Sequence, residues 1–157
     1  MTLFAVNSCG VYTFSGTSIA ADVTSITVNN ITNKAMRINP ALSNQLTEAL
    51  MDKYRKFTKL DTGSPNGDME VNGVITNYEL VSLGITANET ASKNRLTVTI
   101  RITFENKKYP KENFEKSYVA FEDYNSTVSF DSAESTLVDE IVKKLVNLVF
   151  NDTVAKW

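Results

Sequence analysis

The chain has 157 residues, 42% hydrophobic and 22% charged, an ordinary globular composition with enough length to bury a substantial core. Its 16 Lys and Arg against 18 Asp and Glu give a formal charge of −2, which argues against a general nucleic-acid binder, since displacing counterions from phosphates needs a basic excess. With no histidine and one cysteine, the commonest general base, the commonest transition-metal ligand and any intramolecular disulfide are missing together.

The one cysteine stands early, in Ser8-Cys9-Gly10, behind the short apolar run Leu3-Phe4-Ala5-Val6. A small residue, a cysteine and a glycine after an apolar stretch read as a bacterial lipoprotein site, so Cys9 is expected to be acylated. The run is shorter than the stretch of about 7–15 apolar residues in a signal peptide. Residues 1–22 are therefore expected to hold a signal remnant, the lipidated Cys9 and a tether, and residues 23–157 a single domain. Each buried methylene contributes about 0.8 kcal/mol and one acyl chain binds only marginally, so the several chains of a lipoprotein anchor it firmly. No stretch approaches the about 20 apolar residues of a membrane-spanning helix.

Further along, Ser25-Ile-Thr-Val-Asn29 alternates and is β-branched, which predicts a first strand, followed by a loop over residues 30–38. Asn39-Pro40 is a helix start, the asparagine capping free N–H groups and the proline fitting the first turn. Leu42, Leu46, Ala49, Leu50, Tyr54 and Phe57 then step by three and four, one helical stripe to about Thr58. Lys53, Arg55, Lys56 and Lys59 gather at its end, where they complement the negative helix pole; an anionic ligand is the second explanation for them.

Turn residues over 61–67 lead to a strand at 68–82, with Gly73 marking a bulge or a close backbone approach. After a polar loop over 83–94, Leu96, Val98, Ile100, Ile102 and Phe104 alternate with polar residues, predicting a strand buried on one face. A tip over 106–111 and a return strand over 114–121 complete a hairpin. A polar loop over 122–130 follows. Asp131, with Glu134 three residues on, predicts a capping box for a last helix carrying Leu137, Ile141, Leu145 and Leu148 on its stripe. The order β-α-β-β-β-α predicts an α+β two-layer sandwich: a mixed four-stranded sheet with two helices on one face. The other face, bearing Thr97, Thr99, Arg101 and Thr103, is left open.

No catalytic arrangement is apparent. There is no nucleophile elbow, no phosphate-binding glycine loop and no metal-ligand spacing, so neither an enzyme nor a cofactor is expected beyond the covalent lipid on Cys9. Surface recognition remains. Arg95 and Arg101 on the open face, with Lys107, Lys108 and Lys111 at the hairpin tip, are the candidate contacts to phosphate or carboxylate groups of an anionic glycolipid. The plainer account is that tip lysines keep the hairpin soluble and deter edge pairing.

Several segments together resemble the LptE family of outer-membrane lipoproteins, in its Bacteroidetes-type branch. They are Ser8-Cys9-Gly10-Val11-Tyr12-Thr13-Phe14-Ser15-Gly16, Asn39-Pro40-Ala41-Leu42-Ser43 with Leu46-Thr47-Glu48-Ala49-Leu50, and Gly73-Val74-Ile75-Thr76-Asn77-Tyr78. Asn88-Glu89-Thr90-Ala91 leading into Asn94-Arg95-Leu96-Thr97-Val98, and the closing helix up to Val154-Ala155-Lys156-Trp157, complete the set. The resemblance implies a two-helix, four-strand sandwich held to the periplasmic face of the outer membrane by the lipid on Cys9. It also implies pairing with the LptD β-barrel, as assembly partner and plug, in transport of lipopolysaccharide to the outer leaflet. The alternatives are a structural lipoprotein of another secretion or envelope-spanning complex, and an enzyme or carrier acting on envelope glycans. Asp131-Ser132-Ala133 and Asp152-Thr153-Val154 are also similar to bacterial O-glycosylation sites, although each is more simply a helix end.

Overall fold

A computed structural model describes residues 18–84 and 92–154. Cys9, the Asn88–Ala91 motif and the last three residues lie outside them. The chain folds as β1 (Ile26–Val28), β2 (Thr32–Asn33), α1 (Leu42–Phe57), β3 (Met69–Ser82), β4 (Lys93–Asn106), β5 (Phe114–Asn125) and α2 (Phe130–Val154). The sheet order is β1-β3-β4-β5, with β2 also on β3, and the architecture is the expected α+β sandwich. β1 and β2 both run parallel to β3, as a crossover through α1 requires, while β3-β4 and β4-β5 are antiparallel.

The sheet has five strands, not four. β1 pairs Met69–Val71 and β2 pairs Thr32 with Val74 and Asn33 with Ile75, so the same edge of β3 is covered in two pieces with Asn29–Ile31 between them. Gly73 lies opposite that break. A Cβ there would stand 2.8 Å from Ile31 Cγ1 and 3.1 Å from Ile102 Cδ1, so this is a close approach and not a bulge. The bulge comes at Thr76, where the register with β4 shifts between Ile75 and Asn77.

β4 is buried at Leu96, Val98, Ile100, Ile102 and Phe104, as its alternation predicts. β5 runs on to Asn125, so Glu122–Asn125 are strand and not loop; Arg95 faces Asp123 and Lys93 faces Asn125 across the pair. The α1 stripe buries Leu42, Leu46, Leu50 and Tyr54, but Phe57 is 56% exposed. Asn39 does cap α1: its Oδ1 accepts from the N–H groups of Ala41 (3.0 Å) and Leu42 (3.2 Å).

The two helices lie parallel, joined at both ends. At their starts, Glu134 Oε1 accepts from Asn39 Nδ2 (3.0 Å) and from the Tyr78 hydroxyl (2.5 Å). The predicted capping box at Asp131 is therefore not formed. Ser129 occupies the cap position, its Oγ 2.7 Å from Ser132 Oγ and its carbonyl accepting from Ala133 N–H, and Glu134 is used for tertiary attachment. At the far ends, the buried Tyr54 hydroxyl meets Thr153 Oγ1 at 2.7 Å. Thr153 is itself buried, which closes the second O-glycosylation candidate, whereas Ser132 is exposed in the first turn of α2.

Candidate interaction surfaces

The hairpin tip is built around Asn106, which is 1% exposed. Its Oδ1 accepts from the N–H groups of Lys108 and Tyr109, both at 3.1 Å. Its Nδ2 donates to Glu112 Oε2 (2.9 Å), and its own N–H donates to Asn113 Oδ1 (2.7 Å). One buried amide thus organises the whole connection. Asn106→Ala would strand those backbone N–H groups and is expected to lower stability by about 1–3 kcal/mol in urea unfolding. An unchanged midpoint would mean that the tip holds itself without Asn106.

The tip folds back on the N-terminal segment. Lys108 Nζ lies 3.2 Å from Asp68 Oδ1 and also donates to the Asp22 carbonyl, and the Tyr109 hydroxyl donates to Asp22 Oδ1 at 2.8 Å. Lys107 sits 3.7 Å from Glu70 Oε2. The Thr24 N–H bonds Asp68 at 2.8 Å and, with Lys108, holds the pKa of its carboxyl down at about 2, below the ordinary 3.8. A depressed carboxyl stabilises the fold above its unfolded value and loses that contribution as pH falls through its folded one. Acid unfolding is thus expected to carry a limb between about 3.8 and about 2 that Asp68→Asn removes, as read by circular dichroism against pH. Persistence of the limb in the variant would assign it elsewhere.

At the opposite end of the sheet, Arg95 grips Asp123 through two bonds, Nε to Oδ1 at 2.6 Å and Nη2 to Oδ2 at 2.9 Å. Its guanidinium also lies 3.8 Å from the centroid of the Phe121 ring. The bond to Asp123 raises the Arg95 pKa, and Arg95 lowers that of Asp123. Arg101, mid-strand, stands 3.9 Å from Glu115. The five basic candidates are thus strung along β4 and its tip and do not converge on one spot. Four have a carboxylate within 4 Å, while Lys111, beside Pro110 in the short turn, is exposed and has none among the described residues. Those partners are remote in sequence, except within the β4–β5 hairpin, so spacing alone does not disclose them.

α2 is tied to β5 by two lysine arms. Asp152 Oδ2 accepts from Lys116 Nζ at 2.5 Å and from the Tyr118 hydroxyl at 2.8 Å, and Lys144 reaches the Phe121 carbonyl at 3.0 Å and Glu122 at 2.5 Å. The Phe121 carbonyl therefore points outward, and Lys144 caps it on the free edge of the sheet. Among the described residues no group of acids or cysteine is placed to hold a metal ion, and no helix is long and apolar enough to cross a membrane.

The family assignment comes from the sequence. Residues 23–153 match LptE, described as lipopolysaccharide-assembly. The chain belongs to the LptE family. It thereby joins a family that works in lipopolysaccharide assembly and is not an enzyme family. No curated protein matches the chain. Solved structures similar in fold include a minor lipoprotein from Acinetobacter baumannii, at 14% identity and a TM-score of 0.51, covering 81% of this chain and 89% of that one. A Xanthomonas campestris protein has 10% identity and a TM-score of 0.52, covering 82% and 84%. A Helicobacter pylori protein, named as a neuraminyllactose-binding hemagglutinin homolog, has 7% identity and a TM-score of 0.55, covering 90% and 88%. At such identities these likenesses speak to the fold alone; the LptE assignment rests on residues 23–153.

Proposed function

We propose that this LptE chain is an outer-membrane lipoprotein, acylated at Cys9, that pairs with an LptD-like β-barrel. In this reading it helps the barrel assemble and then plugs it, while the pair moves lipopolysaccharide to the outer leaflet. The observation that carries the proposal is the LptE match over 23–153, across nearly all of a two-helix sandwich whose second sheet face no described element covers. That face suits a polar barrel lumen: its charges are paired at Arg95–Asp123 and Arg101–Glu115, and Asn72, Asn77, Thr97, Thr99 and Thr103 offer neutral hydrogen bonding. The test is depletion of the chain in cells, following the barrel by its resistance to unfolding in detergent without heating. Loss of the resistant form is expected; a barrel that folds normally and exports lipopolysaccharide without the chain contradicts the proposal.

Lipopolysaccharide phosphates meeting the hairpin tip would find Lys111 unpaired and would have to draw Lys107 and Lys108 away from Glu70 and Asp68. Lys111→Glu is therefore the cleaner probe of the tip than reversal of all three, because Glu at 108 would face Asp68. A several-fold loss of binding to purified lipopolysaccharide with an unchanged melting temperature is expected, and unchanged binding removes the tip from the contact surface.

A further inference from the structure

Several cations among the described residues sit against a carboxylate, but Lys53, Lys56 and Lys59 do not, and all three belong to one corner. None has an acidic partner among the described residues. The acids around them are already engaged: Asp52 pairs with Arg55 at 2.7 Å, Asp61 accepts from the Gly63 N–H at 2.9 Å, and Asp22 accepts from Tyr109. Between the lysines stands Phe57, exposed, with Lys53 Nζ 4.1 Å from its ring centroid. On one side lies a cleft of about 470 Å³ lined by Ile19, Ala20, Val23, Phe57 and Leu60; on the other, a groove of about 430 Å³ runs between the helices past Lys53 and Val146.

The direction of the chain gives this corner a meaning. Ser18 N–H bonds the Val154 carbonyl at 2.8 Å, and residues 19–24 form one wall of the cleft beside Lys56 and Lys59. Ser18 is thus fixed at this corner, nine residues from Cys9, and nine residues at about 3.3 Å each reach no more than about 30 Å. We propose that the corner formed by Lys53, Lys56, Phe57 and Lys59 docks on the anionic phospholipid headgroups of the leaflet that holds the tether. The proposal rests on acylation of Cys9. Helix-pole complementarity accounts for basic residues in the last turn, but not for three left without a carboxylate around an exposed aromatic ring beside Ser18. An aromatic ring at headgroup level among lysines is the arrangement that an interfacial surface uses.

The test uses full-length protein with Cys9→Ser, unacylated, so that the corner is read without the anchor, and sedimentation with vesicles of phosphatidylcholine with or without phosphatidylglycerol. Binding only to the anionic vesicles, weakened at high salt, is expected. Lys53→Glu/Lys56→Glu/Lys59→Glu should reduce it by about a hundredfold. Lys34→Glu/Lys93→Glu/Lys143→Glu, equal in charge change, should reduce it far less. The neutral Lys53→Gln/Lys56→Gln/Lys59→Gln serves if the reversal unfolds. Equal losses in both sets, equal binding to neutral vesicles, or a loss confined to purified lipopolysaccharide would each overturn the proposal. Acylation itself is read separately, from the mass of the native protein, so the failure of either reading is distinguishable from failure of the other.

Discussion

Tyr54→Ala is expected to lower stability by about 3–5 kcal/mol, the range for emptying a large buried ring site. That is a large share of the about 5–15 kcal/mol that holds a typical domain together. Tyr54 is fully buried, packs its ring 5.5 Å from Phe150 and carries its hydroxyl to Thr153, so its loss opens the seam between the helices. The polar part of that seam is directional. Thr153 Oγ1 spends its only hydrogen on the helix carbonyls of Val149 (2.9 Å) and Phe150 (3.1 Å), so Tyr54 must be the donor between them. Thr153→Val therefore leaves a buried phenol without an acceptor, at about 1–3 kcal/mol, while Tyr54→Phe leaves Thr153 still donating and costs less. The double variant Tyr54→Phe/Thr153→Val is expected to be more stable than Thr153→Val alone. Urea unfolding of the four proteins decides the order, and a double variant weaker than both single ones would show the donor assignment to be wrong.

In cells that lack the barrel, Cys9→Ser is expected to move the protein almost wholly from the membrane to the soluble periplasmic fraction. Each buried methylene contributes about 0.8 kcal/mol, so several acyl chains hold far more tightly than three surface lysines at about 1 kcal/mol apiece. In the proposed arrangement the docking corner orients an anchored domain without anchoring it, and where the barrel is present the fraction bound to it sets how much stays behind. Fractionation with immunodetection measures the outcome. Retention of Cys9→Ser with membranes that lack the barrel would contradict acylation as the attachment.

Regular alternation made β4 legible, because a strand buried on one face writes its geometry into every second residue. The same held for the α1 stripe and for Asn39, whose capping role is local. What escaped the sequence is held by distant partners. β2 consists of Thr32 and Asn33, polar and only two residues long, and is a strand solely because β3 offers it an edge. Glu122–Asn125 read as loop because they are polar, yet the Arg95–Asp123 pair and the register with β4 extend the strand through them. Phe57 kept the helical spacing but fell past the end of the covered stripe, where it became a surface feature instead of core. Glu134 looked like half of a capping box and proved to be the acceptor that joins α1, β3 and α2.

The candidate contacts fared similarly. Their sequence positions suggested one basic patch, but Lys107 and Lys108 find carboxylates on β3 and just before it, and Arg95 finds one on β5. Much of the basic charge among the described residues is paired internally, which makes the unpaired lysines more informative than the clustered ones. The basic run at the end of α1, which in sequence the helix dipole explains more plainly than an anionic ligand, is set apart by what surrounds it in space.

The most direct measurement is a detergent pull-down of the tagged, full-length protein from outer membranes, with partners identified and quantified by mass. The proposed function predicts a large β-barrel protein in near-equal amount, retained through washing. An anchored protein that comes away alone, or with other envelope partners and no barrel, would contradict it.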